Sequence, residues 1–375
     1  MKKHSLIVFL AVFFLILFGL YLVLSASSTY SSVKFEDQFQ LFNSHLLKAL
    51  GGLFFLIVFA FIPYEIYKSN TKLFLVIVIF LLIATLVIST QVKGAKRWLD
   101  LGIINFQPSD LAKIALMMHL AYLVEMKDEL LRDFKLGFIP MIIWIFLTAF
   151  LILIQPNISS GLILVVLSFA ILYVGGVRLS HLFGSIAIAG TAVASLAMVF
   201  THSRGRIVGF WEGLTSGESA NLQVQQAIIG LGSGGMTGVG LGHSSQRNLF
   251  LPEAYGDFIF AILGEETGFM GAVLILFVYL IIFVVGLLIA KNAKDKFGQM
   301  LGFGIVLSFF LSALINASVA SGMVPTTGLP LPFISYGGTS MTILCISFGI
   351  LINIGLRSQK LKKETEQSEV SAIKI

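Results

Sequence analysis

The chain has 375 residues, of which 57% are hydrophobic and only 12% charged. Soluble globular chains carry about 25% charged residues, so half that share with a mean hydropathy of +0.95 excludes an ordinary soluble enzyme and a disordered chain. The single cysteine, Cys345, excludes an intramolecular disulfide framework, and the six histidines show no metal-ligand spacing.

A bilayer core of about 30 Å takes about 20 apolar residues per helix. The apolar runs predict ten spans, at 5–25, 47–67, 72–90, 109–126, 138–155, 159–176, 180–201, 262–290, 299–321 and 339–356. The first opens on Lys2-Lys3 and closes on Ser25-Ala26-Ser27, as a secretory leader does, but its apolar stretch is too long for one and reads as a helix. The fourth is the weakest, because Asp110 and Lys113 fall in its first turn. Ten spans put both termini on one side. If that side is cytoplasmic, 16 of the 25 Lys and Arg residues lie in inner segments and the other 9 in outer ones, which predicts cytoplasmic termini. The net charge of +6 is then a matter of topology and not of nucleic-acid binding. Residues 1–358 read as one polytopic, all-α membrane domain with a large extracytoplasmic loop, 202–257, before the eighth span. Residues 359–375 read as a short flexible cytoplasmic tail.

Three outer segments are long or unusual: 91–108, 202–261 and the Pro/Gly-rich 322–338. Basic residues gather there at Lys93, Lys96 and Arg97 and again at Arg204 and Arg206. Positive charge held against the topological bias points to an anionic ligand, and phospholipid headgroups serve equally well on these residues alone. Gly230-Leu-Gly-Ser-Gly-Gly235 matches G-x-G-x-x-G without the strand and helix that a dinucleotide site needs. The seven glycines between 230 and 242 read as tight turns and close backbone packing. Glu253 and Asp257, spaced i, i+4 after Pro252, would share a face if the segment is helical. Asp257 also suits the N-cap of the eighth span. The 34 residues from Asp257 to Lys291 reach about 51 Å as a helix, more than a bilayer core, so Asp257 stands above the membrane, with Glu265 and Glu266 near the interface. On these residues alone capping ranks above general-base chemistry on a lipid-linked anion. Pro325 to Gly338 holds three of the eight prolines and reads as a rigid re-entrant loop.

Taken together the motifs resemble the SEDS family (shape, elongation, division and sporulation). They are Lys96-Arg-Trp-Leu99, Phe106-Gln-Pro-Ser-Asp-Leu-Ala-Lys113, Gln155-Pro156, Ile229 to Gly235, Leu251-Pro-Glu-Ala254, Asp257-Phe-Ile-Phe-Ala261, Gly264-Glu-Glu266 and Pro325 to Gly338. They run in family order over about residues 5–357. The resemblance implies a ten-span peptidoglycan glycosyltransferase of the bacterial cytoplasmic membrane that polymerises lipid II and releases undecaprenyl pyrophosphate. It implies Asp257 as the catalytic base, which reverses the capping-first ranking. It implies Arg97 and Lys113 as partners of the pyrophosphate, and Gln107, Ser109 and Glu253 as further substrate-binding residues. A divalent cation could share the work on the pyrophosphate, although no preformed metal cage is visible. The implied partners are a class B penicillin-binding protein, which is a single-span transpeptidase, other division-complex proteins and membrane lipid, with no nucleic acid.

The chain departs from the family pattern at three places. Asn157 stands where an Asp is frequent, Asp110 where a Glu is, and Tyr255-Gly256 where His-Thr precedes the catalytic Asp. Gly240 to Phe250 and Asn316-Ala-Ser-Val319 resemble the FtsW division branch more than the RodA elongation branch. Rival classes are an elongation polymerase of the same chemistry, a lipid II flippase or other transporter, and a structural scaffold. A transporter would place charged sites near the midplane, often within inverted repeats. No internal repeat is evident, and the charges collect at the outer face.

Overall fold

The computed structural model describes residues 3–89, 97–100, 105–216, 221–248 and 250–373, so Lys93 and Lys96 of the outer basic cluster lie outside the described residues. The chain opens with α1 (Lys3–Phe35), α2 (Gln40–Phe61), the short α3 (Glu65–Ser69) and α4 (Thr71–Ile88). A two-residue antiparallel ladder pairs β1 (Leu99–Asp100) with β2 (Asn105–Phe106), Leu99 facing Phe106. Then come α5 (Pro108–Met126), α6 (Ile139–Ile154), α7 (Ile158–Gly175) and α8 (Leu179–Val199). The chain continues through α9 (Thr201–Ser216), α10 (Leu222–Ser233), α11 (Ile259–Lys291), α12 (Lys296–Ala320) and α13 (Thr339–Ile373).

Among the described residues nine helical stretches are long and apolar enough to cross a bilayer. The predicted span 109–126, which is not one of the nine, is α5, whose charges lower its hydropathy. It packs against α4, α7 and α12 and is buried along most of its length, so protein and not lipid surrounds its polar groups. The predicted second span, 47–67, needs correction: α2 starts at Gln40 and ends at Phe61, because Pro63 turns the preceding residue to an extended conformation. The stretch 202–257 is likewise partly helical, carrying α9 and α10, and α13 continues through the residues read as a tail.

Small residues let backbones touch. A Cβ on Gly349 would stand 2.5 Å from the Leu56 carbonyl oxygen, so α13 lies directly on α2. Helix α11 breaks at Gly268, whose φ of 70° lies in the left-handed region. An unbroken helix would bond the amides of Phe269 and Met270 to the carbonyls of Glu265 and Glu266. Instead Phe269 N–H donates to Gly235 O (2.9 Å) and Met270 N–H to Met236 O (3.2 Å). The vacated carbonyls of Glu265 and Glu266 accept from Val239 N–H (3.0 Å) and Gly240 N–H (3.2 Å). Cβ atoms on Gly234 and Gly238 would lie 2.1 Å from the carbonyl oxygens of Gly264 and Glu266. The glycine-rich segment is therefore a close-packing device, as its composition suggested.

At the far end of the bundle Lys68 bonds Glu125 (2.7 Å) and Asp295 (3.5 Å), tying α3 and α5 to the α11–α12 turn. The candidate site lies at the opposite end.

Candidate active site

Asp257 lies just before α11. The helix N-cap is Phe258, with no side-chain cap bond, so the capping reading of Asp257 does not hold. Nor do Glu253 and Asp257 share a helix face: 250–257 is a run of turns, and Glu253 has a left-handed φ of 57°. The Asp257 carboxylate points at Gly328 of the Pro/Gly-rich segment. A Cβ built there would be 3.5 Å from Asp257 Oδ2 and 3.8 and 3.9 Å from the two terminal nitrogens of Arg206. Carboxylate and guanidinium thus both approach Gly328, whose φ of 74° and missing side chain leave room between them.

Arg206 rides on α9 and donates to Thr326 O (3.3 Å). Burial pulls its pKa below the ordinary arginine value, and Asp257 opposes that shift. Arg97 is lowered to about 10, first by burial and then by the like charge of Arg206. It bonds Gln155 O (3.4 Å) and Pro156 O, so it secures the α6–α7 turn while its charge acts on Arg206. Two half-buried guanidiniums that repel each other near a carboxylate suit an anion with more than one charge.

Gly328 also lines a cavity of about 870 Å³ of empty space, open mouth included, whose polar walls include Gln107, Asp110, Lys113, Ser160, Ser335 and Ser340. Lys113 bonds Asp110 (2.8 Å), and Asp110 also accepts from Ser340 Oγ. Gln107 donates through Nε2 to Ser109 Oγ (3.0 Å), which also accepts from Asn157 Nδ2 (3.1 Å). Asn157 therefore works as a neutral donor to Ser109 Oγ, where a carboxylate would instead accept from that hydroxyl. Arg206 lines a second cavity with Phe210, Asn221, Val324 and Thr326.

The structure thus brings Asp257, Arg206 and Arg97 together and sets Lys113 and Gln107 in the wall of the neighbouring cavity, with Ser109 buried behind that wall, bonded to Gln107 and Asn157. Glu253 stands apart and acts on Tyr255, whose phenol is pushed above its usual value mainly by burial. Arg206 was legible only as part of a basic pair. Arg204 is exposed and Arg206 is not, because residues two apart on a helix face different ways.

The turn that carries Asp257 is held on several sides. Tyr336 N–H donates to Tyr255 O (2.9 Å), Ser335 Oγ to Gly256 O (2.7 Å) and Asn316 Nδ2 to Asp257 O (2.8 Å). Beyond it, buried Glu265 accepts from Ser245 N–H (3.0 Å), Gln246 N–H (3.3 Å), Ser233 Oγ (3.4 Å) and Ser244 Oγ. Glu266 accepts from Tyr21 OH (3.0 Å) and Ser25 Oγ on α1. These two acids are paired and structural, as carboxylates at membrane depth must be.

Fold and site define a polytopic membrane protein with an acid and two guanidiniums beside a largely apolar cavity that carries a few polar groups. Residues 5–360 match the family of cell cycle proteins that groups FtsW, RodA and SpoVE. The chain belongs to that family. It is 34% identical over 358 residues to a Geobacter sp. (strain M18) protein named probable peptidoglycan glycosyltransferase FtsW, covering 95% of this chain and 98% of that one. Among solved structures, a chain of a peptidoglycan synthase complex aligns at a TM-score of 0.75 and 22% identity, covering 94% of this chain and 97% of that one. The rod shape determining protein RodA of Thermus thermophilus aligns at 0.69 and 20% identity, covering 93% and 95%. At these identities the two structures speak to the fold alone.

Proposed function

We propose that this chain is a peptidoglycan glycosyltransferase that extends glycan strands from lipid II, with Asp257 as its general base. The observation that carries the proposal is the approach of both the Asp257 carboxylate and the Arg206 guanidinium to Gly328, where that glycine lines the cavity. The acceptor sugar hydroxyl attacks the anomeric carbon of the lipid-linked donor. Its proton passes to Asp257 Oδ2, the bond to the pyrophosphate oxygen breaks, and the α-linked donor becomes a β-linked product. Undecaprenyl pyrophosphate leaves with the electron pair. Arg206 and Arg97 stabilise that charge, and Arg206 exchanges Asp257 for phosphate oxygen as its counter-ion. Lys113 and Gln107 bind substrate from the cavity wall, Ser109 supports Gln107 from behind it, and Glu253 is a further sugar-binding residue. Two cavities bordering one site give room for two lipid-linked substrates.

A divalent cation on the pyrophosphate is part of the proposal. Among the described residues no three His, Cys, Asp or Glu side chains gather, so substrate oxygens would supply most of its ligands. The basic distribution favours cytoplasmic termini in a bacterial inner membrane, with Asp257 outside. The relatives' names favour a septal role, and the synthase complex favours a transpeptidase partner of the class B penicillin-binding type.

The test is polymerisation of lipid II by purified protein, alone and with that transpeptidase. Asp257→Asn keeps the side-chain size and is expected to lose about 10²–10⁴-fold in turnover, the usual worth of a general base. Glu253→Gln is expected to lose much less. A fully active Asp257→Asn protein would remove the base, and loss confined to Glu253→Gln would move the role to Glu253.

A further inference from the structure

Three successive carbonyls, those of Tyr255, Gly256 and Asp257, accept hydrogen bonds from Tyr336 and Ser335 of the stretch between α12 and α13 and from Asn316 in the last turns of α12. A turn normally leaves such groups to water. Here the backbone on which the carboxylate stands is fixed from one side, and Asn316 occupies the junction. Its Nδ2 donates to Asp257 O and to Leu329 O, both at 2.8 Å. Leu329 follows Gly328, the residue facing the Asp257 carboxylate and Arg206. One amide group therefore fixes the distance between the backbone of the acid and the backbone of the surface that it faces. The side chain is 1% exposed, and its orientation is forced, because Oδ1 in place of Nδ2 would confront two carbonyl oxygens.

Ser335 extends the same arrangement. Its hydroxyl accepts from Leu331 N–H (2.8 Å) and donates to Gly256 O, so it bridges the Pro/Gly segment and the acid's turn once more. Tyr336 completes the series. Its amide holds Tyr255 O, its phenol takes hydrogen bonds from Lys48 Nζ (2.9 Å) and shares one with Ser44 Oγ (3.2 Å), and its ring meets Tyr255 edge-on. Tyr255 in turn lies against Tyr30 of α1.

We infer that Asn316 and Ser335 are positioning residues for the transfer reaction, holding Asp257 at a fixed reach from Gly328 and Arg206. The inference rests on the reading of Asp257 as the base. Neither side chain needs to meet the reacting atoms; both act through the backbone of residues 256–257.

The experiment uses the full-length protein with its transpeptidase partner and measures turnover of lipid II, its binding, and thermal melting. Asn316→Asp is close in size but presents oxygen to both carbonyls. Misplacement by about 1 Å costs about 10²-fold in rate, so turnover is expected to fall by about that factor while lipid II binding changes less than about threefold. Ser335→Ala is expected to lose turnover with binding retained, and Ser335→Thr, which keeps the hydroxyl, to recover it. Normal turnover in folded Asn316→Asp, or in Ser335→Ala, overturns the inference. So does a loss in which turnover, binding and melting fall together, since that identifies a structural staple. Asp257→Asn measured alongside separates the two levels: an active Asp257→Asn protein refutes the base, whereas a dead one beside fully active Asn316→Asp refutes only the positioning.

Discussion

Glu265 offers a perturbation whose size follows from its hydrogen bonds. Oε1 accepts from Ser245 N–H and Ser233 Oγ, while Oε2 accepts from Gln246 N–H and Ser244 Oγ. In Glu265→Gln one of these oxygens becomes an NH₂ group. Whichever it is, one serine hydroxyl can rotate to accept, and one backbone N–H is left facing a donor. A buried donor without its acceptor costs about 1–3 kcal/mol. Glu265→Ala strands both amides, so its cost is about twice that. The loss falls on 244–246 and reaches α11 little, because α11 keeps its own ladder and its packing on α12 and α1. Hydrogen exchange read by mass spectrometry in detergent is the assay. In Glu265→Gln the 244–248 amides are expected to exchange about 5- to 150-fold faster, the rate equivalent of that free energy. The Phe269–Lys291 part of α11 is expected to stay as in the parent protein. Unchanged exchange at 244–248, or equal change along the whole of α11, would refute the reasoning.

Two further outcomes follow from the same contacts. Asp110→Asn alone leaves Lys113 without its buried counter-ion and is expected to cost about 3–5 kcal/mol; combining it with Lys113→Met should restore melting but not polymerisation, which detergent melting curves and lipid II turnover will show. Gly238→Ala meets the Glu266 carbonyl oxygen at 2.1 Å from a left-handed backbone and should loosen the 234–250 segment to protease, whereas Gly232→Ala, with open space around it, should be neutral or slightly stabilising.

Hydropathy made nine of the ten predicted spans legible among the described residues, because a bilayer imposes length and apolarity on each segment separately, whereas α5 carries too many charges to qualify and is sheltered by its neighbours. Hydropathy misread α2 by leaving out its more polar start, Gln40 to His45, and by running past Phe61, where the helix ends before Pro63. The site was legible as residue types and not as partnerships. The i, i+4 spacing of Glu253 and Asp257 suggested a shared face, but the turns of 250–257 break the helical period on which that reasoning depends. The resemblance implied Lys113 as a partner of the pyrophosphate, although its i−3 neighbour Asp110 was the available sign of an internal pair. The role of Asn316 had no local signal, because both of its acceptors are distant in sequence or set by the fold of the Pro/Gly segment.

The break at Gly268 bears on how such a chain can be made. Membrane proteins enter the lipid one segment after another, and an amide left bare there even briefly is expensive. Residues 265–270 have two complete solutions: a straight helix that satisfies itself on arrival, and the exchanged pairing with 235–240 in the finished protein. Each swap trades one partner for another of the same kind. The segment made first, 235–240, can wait at the water side until α11 is seated and then dock into it. The irregular stretch around Gly268 is thus compatible with a biogenesis in which no step exposes naked backbone to oil.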